Sequence, residues 1–203
     1  MTAIDLSDDT ADWADWARRL RRDDHAALRA AFDRAYAPLV RFADSLVRDP
    51  GLAADFAQEA FVRLWEHRAT IDPAQSLRAW LFRTVRNLAL NHHRDGRTRD
   101  RLLDDVTIDD SAAVPRAFVA PDAAVEAAEL LDRVHAGIAA LPPRQREALE
   151  LSRFQGLSHA EIAEVMACAP RTVNNHLVRA LESLRHYLAP VGSFVTTLLG
   201  VLS

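Results

Sequence analysis

Lysine is absent from this chain, and all 25 basic residues are arginine. We read that first as genomic composition, although the guanidinium fork also suits phosphates and base edges. The single cysteine, Cys168, excludes an intramolecular disulfide framework and any multi-cysteine zinc site, and fits a reducing compartment. Six scattered glycines form no phosphate-cradling loop. No apolar run approaches the roughly 20 residues that span a bilayer. The start, Met1 to Asp9, has neither a basic n-region nor an apolar h-region, so no signal peptide and a cytoplasmic location are expected. Strand signals are missing too: alternating runs and β-branched clusters are few, and no Asn-Gly or Asp-Gly hairpin turn occurs. What is present is an ordinary globular balance, 49% hydrophobic and 27% charged. The 203 residues suffice for one large domain or two small ones.

The net charge of −4 conceals a strong asymmetry. Between Arg78 and Arg101 seven arginines face only Asp95 and Asp100, a local +5. Between Leu102 and Asp132 eight acids face Arg116 alone, a local −7. Local charge decides what a surface attracts, so the overall sign says little about nucleic acid.

Helical periodicity runs through most of the chain and predicts an all-α fold of two small helical domains joined by an acidic flexible linker. Trp13, Trp16, Ala17 and Leu20 mark a first helix that Asp23-Asp24 breaks or caps. A second carries Leu28, Phe32, Ala35, Tyr36, Leu39, Ala43, Leu46 and Val47, kinked rather than stopped by Pro38, and Asp49-Pro50-Gly51 ends it. The third buries Phe56, Ala57, Ala60, Phe61, Leu64 and Trp65, and the fourth Leu77, Trp80, Leu81, Thr84, Val85 and Leu88. Residues 10–97 thus form a first domain. Periodicity fails over 98–121, where acids and prolines make a linker. A second domain, 122–188, opens at Asp122 and includes a short helix ending at Gly156. Ser158-His159-Ala160-Glu161 then has capping-box spacing, and a three-residue turn leads to a last helix from Pro170. That pair reads as helix-turn-helix. The apolar tail 189–203 has no assigned role.

Three faces carry candidate chemistry. The last helix shows Arg171, Thr172, Asn175, Val178 and Arg179 outward, and arginine and asparagine pair bidentately with guanine and adenine. On the fourth helix Arg83, Arg86 and Arg94 can neutralise phosphates, while Asn87 and Asn91 can meet base edges or an unstacked base. The third helix is the opposite: Asp55, Gln58 and Glu59 would repel DNA and suit a protein partner. Each face also has a plainer reading as a solvated polar stripe. His92-His93 point to different helix faces and make poor joint metal ligands, and Cys168 reads as a small apolar filler. No acid, base and nucleophile fall into a catalytic spacing, so neither an enzyme nor a cofactor site is expected.

Asp55-Phe-Ala-Gln-Glu-Ala-Phe-Val-Arg-Leu-Trp65 resembles the polymerase-binding helix of extracytoplasmic function (ECF) sigma factors. Leu77-Arg-Ala-Trp-Leu-Phe-Arg-Thr-Val-Arg-Asn87 is similar to that family's helix for melting the −10 promoter element. Leu141-Pro-Pro-Arg-Gln-Arg-Glu147, Gly156-Leu-Ser-His-Ala-Glu-Ile-Ala163 and Pro170-Arg-Thr-Val173 resemble its −35-reading domain. The resemblance covers about residues 10–188 in the expected order. It implies a sigma factor working with core RNA polymerase on promoter DNA and held by an anti-sigma factor, without membrane insertion. Asp55, Gln58 and Glu59 would meet the polymerase clamp. The loop 67–75 and Asn87 would trap a −10 base, and Arg171, Thr172, Asn175 and Arg179 would read the −35 element. The acidic linker would thread the polymerase cleft. Two departures stand out. Ala167 replaces the family's usual turn glycine, so a differently built turn is expected, and Ala169 replaces the usual Ser or Thr cap. The rival reading is a free-standing helix-turn-helix regulator whose N-terminal domain senses a signal or dimerises.

Overall fold

The computed structural model describes the backbone of residues 6–102 and 132–189, with side chains over 12–94 and 132–189. Most of the expected linker, the start of the second domain at Asp122 and the tail from 190 lie outside the described residues. Four helices make the N-terminal half: α1 (Leu6–Leu20), α2 (His25–Val47), α3 (Pro50–Glu66) and α4 (Leu77–Leu102). The C-terminal half holds α5 (132–139), α6 (Pro143–Leu149), α7 (His159–Met166) and α8 (Pro170–Leu188). Among the described residues there is no strand.

The helix starts follow capping chemistry. Asp24 caps α2 by accepting from the amides of Ala26 and Ala27, at 2.8 and 3.3 Å. The same carboxylate takes the Arg19 guanidinium at 2.9 Å, which with those amides holds Asp24 below the usual carboxylate range. Asp49 caps α3 through the Leu52 amide, with Pro50 at a first-turn position where its missing N–H costs nothing. Helix α2 runs on through Pro38, as its apolar period demands.

The centre of the N-terminal half is α2, packed against α1, α3 and α4. Ala27, Ala31 and Ala35 on α2 and Ala53, Ala57 and Ala60 on α3 are all buried. Small side chains at these spacings let two helices approach closely. Phe32 meets Phe61 at 4.9 Å between ring centroids, and Phe42 meets Phe82 of α4 at 5.4 Å. Helix α4 continues to Leu102, into residues that the sequence reading assigns to the linker. Arginine is a good helix former and no proline interrupts the segment, so helix persists after the apolar stripe has ended.

Two features of the C-terminal half differ from expectation. The helix expected to end at Gly156 keeps α geometry only to Leu149, then widens into a π turn over Glu150–Phe154, with the Gln155 amide bonded to Glu150 O at 3.1 Å. Gly156 follows with φ +64° and turns the chain toward α7. The turn between α7 and α8 is left-handed after all, with Ala167 at φ 51° and ψ 54°. Its amide bonds back to Ala163 and Glu164, and the Cys168 amide reaches Ala163 O at 3.0 Å. Those bonds satisfy the helix-end carbonyls and offset the roughly 1–2 kcal/mol that an L-residue pays there. Gly137 on α5 lies close against α8, where a Cβ would stand 2.9 Å from the Tyr187 ring and displace it.

The halves are not separate. One cluster of buried side chains runs from Phe42, Leu77 and Phe82 to Ile162, Val165, Met166 and Leu177, and α4 packs directly on α7. A smaller cluster of Ile138, Leu141, Leu149, Ala180 and Leu184 joins α5, α6 and α8.

Candidate nucleic-acid interface

Helix α8 divides cleanly. Val173, Leu177, Ala180, Leu184 and Leu188 are buried along one side. Arg171, Asn175, Val178 and Arg179 are exposed on the other, and Thr172 is half-buried at its edge. Successive residues turn by 100°, so the exposed four lie within about a third of the helix circumference. Helix α7 holds this face in place. Its capping box is complete, with the Ser158 hydroxyl accepting from the Glu161 amide and Glu161 accepting from the Ser158 amide at 2.9 Å. Ala169 supplies no side-chain cap to α8. A rigid short helix, a tight turn and a longer helix with a polar outward first turn are what major-groove reading requires.

Helix α4 presents three sides. Leu77, Leu81 and Val85 are buried in the core. Asn87, Asn91 and Arg94 are exposed and Arg83 is half-buried, and these four share the outward side with the exposed Leu90. Arg86 does not join them. It is buried, donating from Nε to Glu147 Oε1 and from Nη2 to Glu147 Oε2 at 3.5 Å. Sequence alone places Arg86 among the phosphate contacts; in this arrangement its guanidinium is turned into the junction between the halves. The missed signal is Glu147, a distant carboxylate that no local spacing connects to α4.

On α3, Asp55 and Gln58 are exposed and Glu59 is half-buried, its carboxylate held by Arg63 at 2.7 Å. Val62 belongs to the same side, at i, i+3, i+4 and i+7 from Asp55, and is 52% exposed. An uncharged side chain gives no charge signal, so the sequence reading of this face did not include it. The loop after α3 is anchored by Arg68, whose guanidinium lies 4.2 Å from the Trp65 ring centre and donates to Trp65 O. Ile71 is buried beneath it, and Asp72 accepts from the Ala74 amide at 2.9 Å.

His92 and His93 lie edge-on to each other, 6.1 Å between ring centroids, and each has a further partner. His93 Nε2 lies 3.0 Å from Leu46 O, while His92 sits edge-on to Phe56. Among the described residues no group of three His, Cys, Asp or Glu side chains is placed to hold a metal ion, and no helix is long and apolar enough to cross a membrane.

Comparisons with known proteins agree with this layout. The sigma-70 region 2 family matches residues 31–99, and the sigma-70 region 4 family matches 131–184. Among relatives, the ECF RNA polymerase sigma factor SigL of Mycobacterium tuberculosis is 34% identical over 170 residues, covering 82% of this chain and 92% of its own. The RNA polymerase sigma-H factor of Pseudomonas aeruginosa is 34% identical over 160 residues, covering 75% and 79%. Among solved structures, RpoE in complex with the anti-sigma factor NepR from Bartonella quintana matches with a TM-score of 0.58 and 26% identity, covering 79% of this chain and 96% of that one. CnrH in complex with the cytosolic domain of CnrY matches with a TM-score of 0.63 over 89% of this chain and 99% of that one. At 23% identity, the CnrH likeness speaks for the fold.

Proposed function

This chain belongs to the extracytoplasmic function sigma factors, and we propose how its faces divide the work of such an alternative RNA polymerase sigma factor. The α3 side bearing Asp55, Gln58, Glu59 and Val62 docks on core RNA polymerase. The outward side of α4, with Arg83, Asn87, Asn91 and Arg94, meets the −10 element, where the asparagines hold bases taken out of the stack. Arg171, Thr172, Asn175 and Arg179 on α8 read the −35 element in the major groove. Catalysis stays with the polymerase, and the protein works in the cytoplasm. An anti-sigma protein is the expected inhibitor, as in the solved complex of RpoE with NepR.

The observation that carries this division is the opposition of sign between adjacent helices: the outward side of α3 carries Asp55 and Glu59, the latter paired with Arg63, while that of α4 carries Arg83 and Arg94 with two asparagines and Leu90. Like charge would drive α3 from DNA while α4 is drawn to it. A free-standing regulator has no use for an anionic helix beside its DNA face, and the region 2 match accounts for the half of the chain that such a regulator would give to sensing.

The test is a promoter-binding assay with and without core polymerase, using a duplex selected by the holoenzyme. Binding that needs the core enzyme is expected. Equally tight binding by the chain alone would return the function to a regulator.

A further inference from the structure

The loop between α3 and α4 is bent by its own short-range bonds. The Thr70 amide and hydroxyl both donate to His67 O at 2.9 Å, and the Gln75 amide donates to Asp72 O at 3.0 Å. Two side chains tie it to the body of the N-terminal half. Ile71 is buried in the core, and Arg68, in the 3₁₀ turn Arg68–Thr70, reaches out of the loop altogether. Its Nε donates to Asp23 Oδ1, 45 residues earlier, at the corner between α1 and α2. Its Nη1 donates to Trp65 O at 2.7 Å. Its Cζ lies over the Trp65 ring, which stacks in turn on His25 at 4.4 Å between ring centroids.

The corner that receives Arg68 is itself fixed. Asp23 has φ 61°, a left-handed setting that Asp tolerates better than most residues, and its amide donates to Leu20 O at 3.0 Å. The neighbouring Asp24 is held by Arg19 and caps α2. Arg68 thus meets a carboxylate, a carbonyl and a ring, each set by an end of α1, α2 or α3. A guanidinium can donate in its plane while stacking through its face, which an ammonium cannot do.

We propose that Arg68 is a positioning residue for promoter opening: through Asp23 and Trp65 it holds the loop 67–75 in the one setting that selects an unstacked −10 base. The anchoring rests on this geometry alone; what the loop selects rests on the sigma-factor reading above. Arg68 acts through the loop and does not itself read DNA. Asp23 beside it would repel a phosphate, and two of its nitrogens already serve the anchor. The ion pair is partly exposed, with side chains 28% and 68% accessible, so it adds little to global stability. Its effect falls on where the loop sits.

The test uses holoenzyme made with the full chain, on a promoter carrying a fluorescent base analogue in the −10 strand. Opening rates are compared between the preferred −10 element and the same element with single-base substitutions, and their ratio is the discrimination. Arg68→Gln should lower discrimination on the order of tenfold, the scale of one base contact, with core affinity and Tm close to the parent's. Asp23→Asn, outside the loop, should shift it in the same direction. Hydrogen exchange in the free chain reads the anchor itself: the Thr70 and Gln75 amides should exchange several-fold faster in Arg68→Gln, with α2 amides unchanged. Parent-like discrimination or parent-like loop exchange in Arg68→Gln would overturn the proposal. Loss of discrimination in Arg68→Gln with full discrimination in Asp23→Asn would overturn it too, by making Arg68 a DNA contact. Should Arg68→Gln fold poorly, the same two readouts on Asp23→Asn decide alone. A parent that binds no core polymerase would defeat the sigma-factor reading and with it the promoter role, while the exchange rates still decide the anchor.

Discussion

Arg86 and Asn87 are adjacent in the chain and face opposite surroundings: the arginine is 6% exposed against Glu147, and the asparagine is exposed on the outward side of α4. One 100° step of the helix separates a residue turned into the junction from one turned to solvent, where we propose a base contact. This division has consequences for how each should respond to substitution.

Asn87→Ala should impair promoter opening by about 1–3 kcal/mol, the range of a lost base contact, and leave closed-complex affinity nearly unchanged. Opening can be read from a fluorescent base analogue in the −10 strand, and closed binding from a gel shift at low temperature. Equal losses in the two assays would remove Asn87 from the melting step.

Replacing Gln58 and Glu59 with arginine should weaken core-polymerase binding at least about tenfold, or 1.4 kcal/mol. Stability should change little, because the Glu59–Arg63 pair is a partly exposed i, i+4 contact worth about 0.3–0.5 kcal/mol. Val62→Ser should also weaken binding; unchanged affinity in both variants would take α3 out of the interface.

The turn of the helix-turn-helix offers two stabilising changes. Ala167→Gly should raise stability by roughly 1 kcal/mol, since φ 51° is costly for alanine and open to glycine. Ala169→Ser should add on the order of 1 kcal/mol by capping α8. Urea denaturation measures both, and a loss of stability in the glycine variant would contradict the left-handed turn.

Much of this was legible beforehand for a physical reason: helix starts are local. Asp24 and the Ser158–Glu161 box each act within three residues, so spacing alone reveals them, whereas Asp49-Pro50-Gly51 reads in sequence as the stop of α2 and in the structure starts α3. The outward side of α8 was equally readable, because its apolar stripe defines the opposite face. The junction was not. Arg86 and Glu147 lie 61 residues apart, and Ser76 and Glu161 lie 85 apart, so tertiary packing alone brings them together. The turn at Ala167 escaped because local steric cost argues against it, while the hydrogen bonds that hold it appear only in three dimensions. Val62 escaped because a valine amid acids carries no charge signal.

Glu150 supplies a pH signature. Burial pushes its carboxyl up, against the opposing pull of Arg146 and His135. A raised carboxyl favours folding below its ordinary value of 4.5 and loses that contribution as pH rises through the folded value. Glu150→Gln should therefore be more stable than the parent at pH 7, with the gain shrinking as pH falls through the raised folded value toward 4.5. Denaturant midpoints across that range check the sign; a gain that grows in acid would contradict it.

The central claim is that this chain acts through core RNA polymerase, and the most direct measurement is fluorescence anisotropy of the labelled protein titrated with bacterial core enzyme in the absence of DNA. Tight, saturable binding is predicted. No binding to the core enzyme, together with tight binding to naked duplex DNA, would contradict the account and leave Asp55, Gln58 and Glu59 as ordinary surface residues.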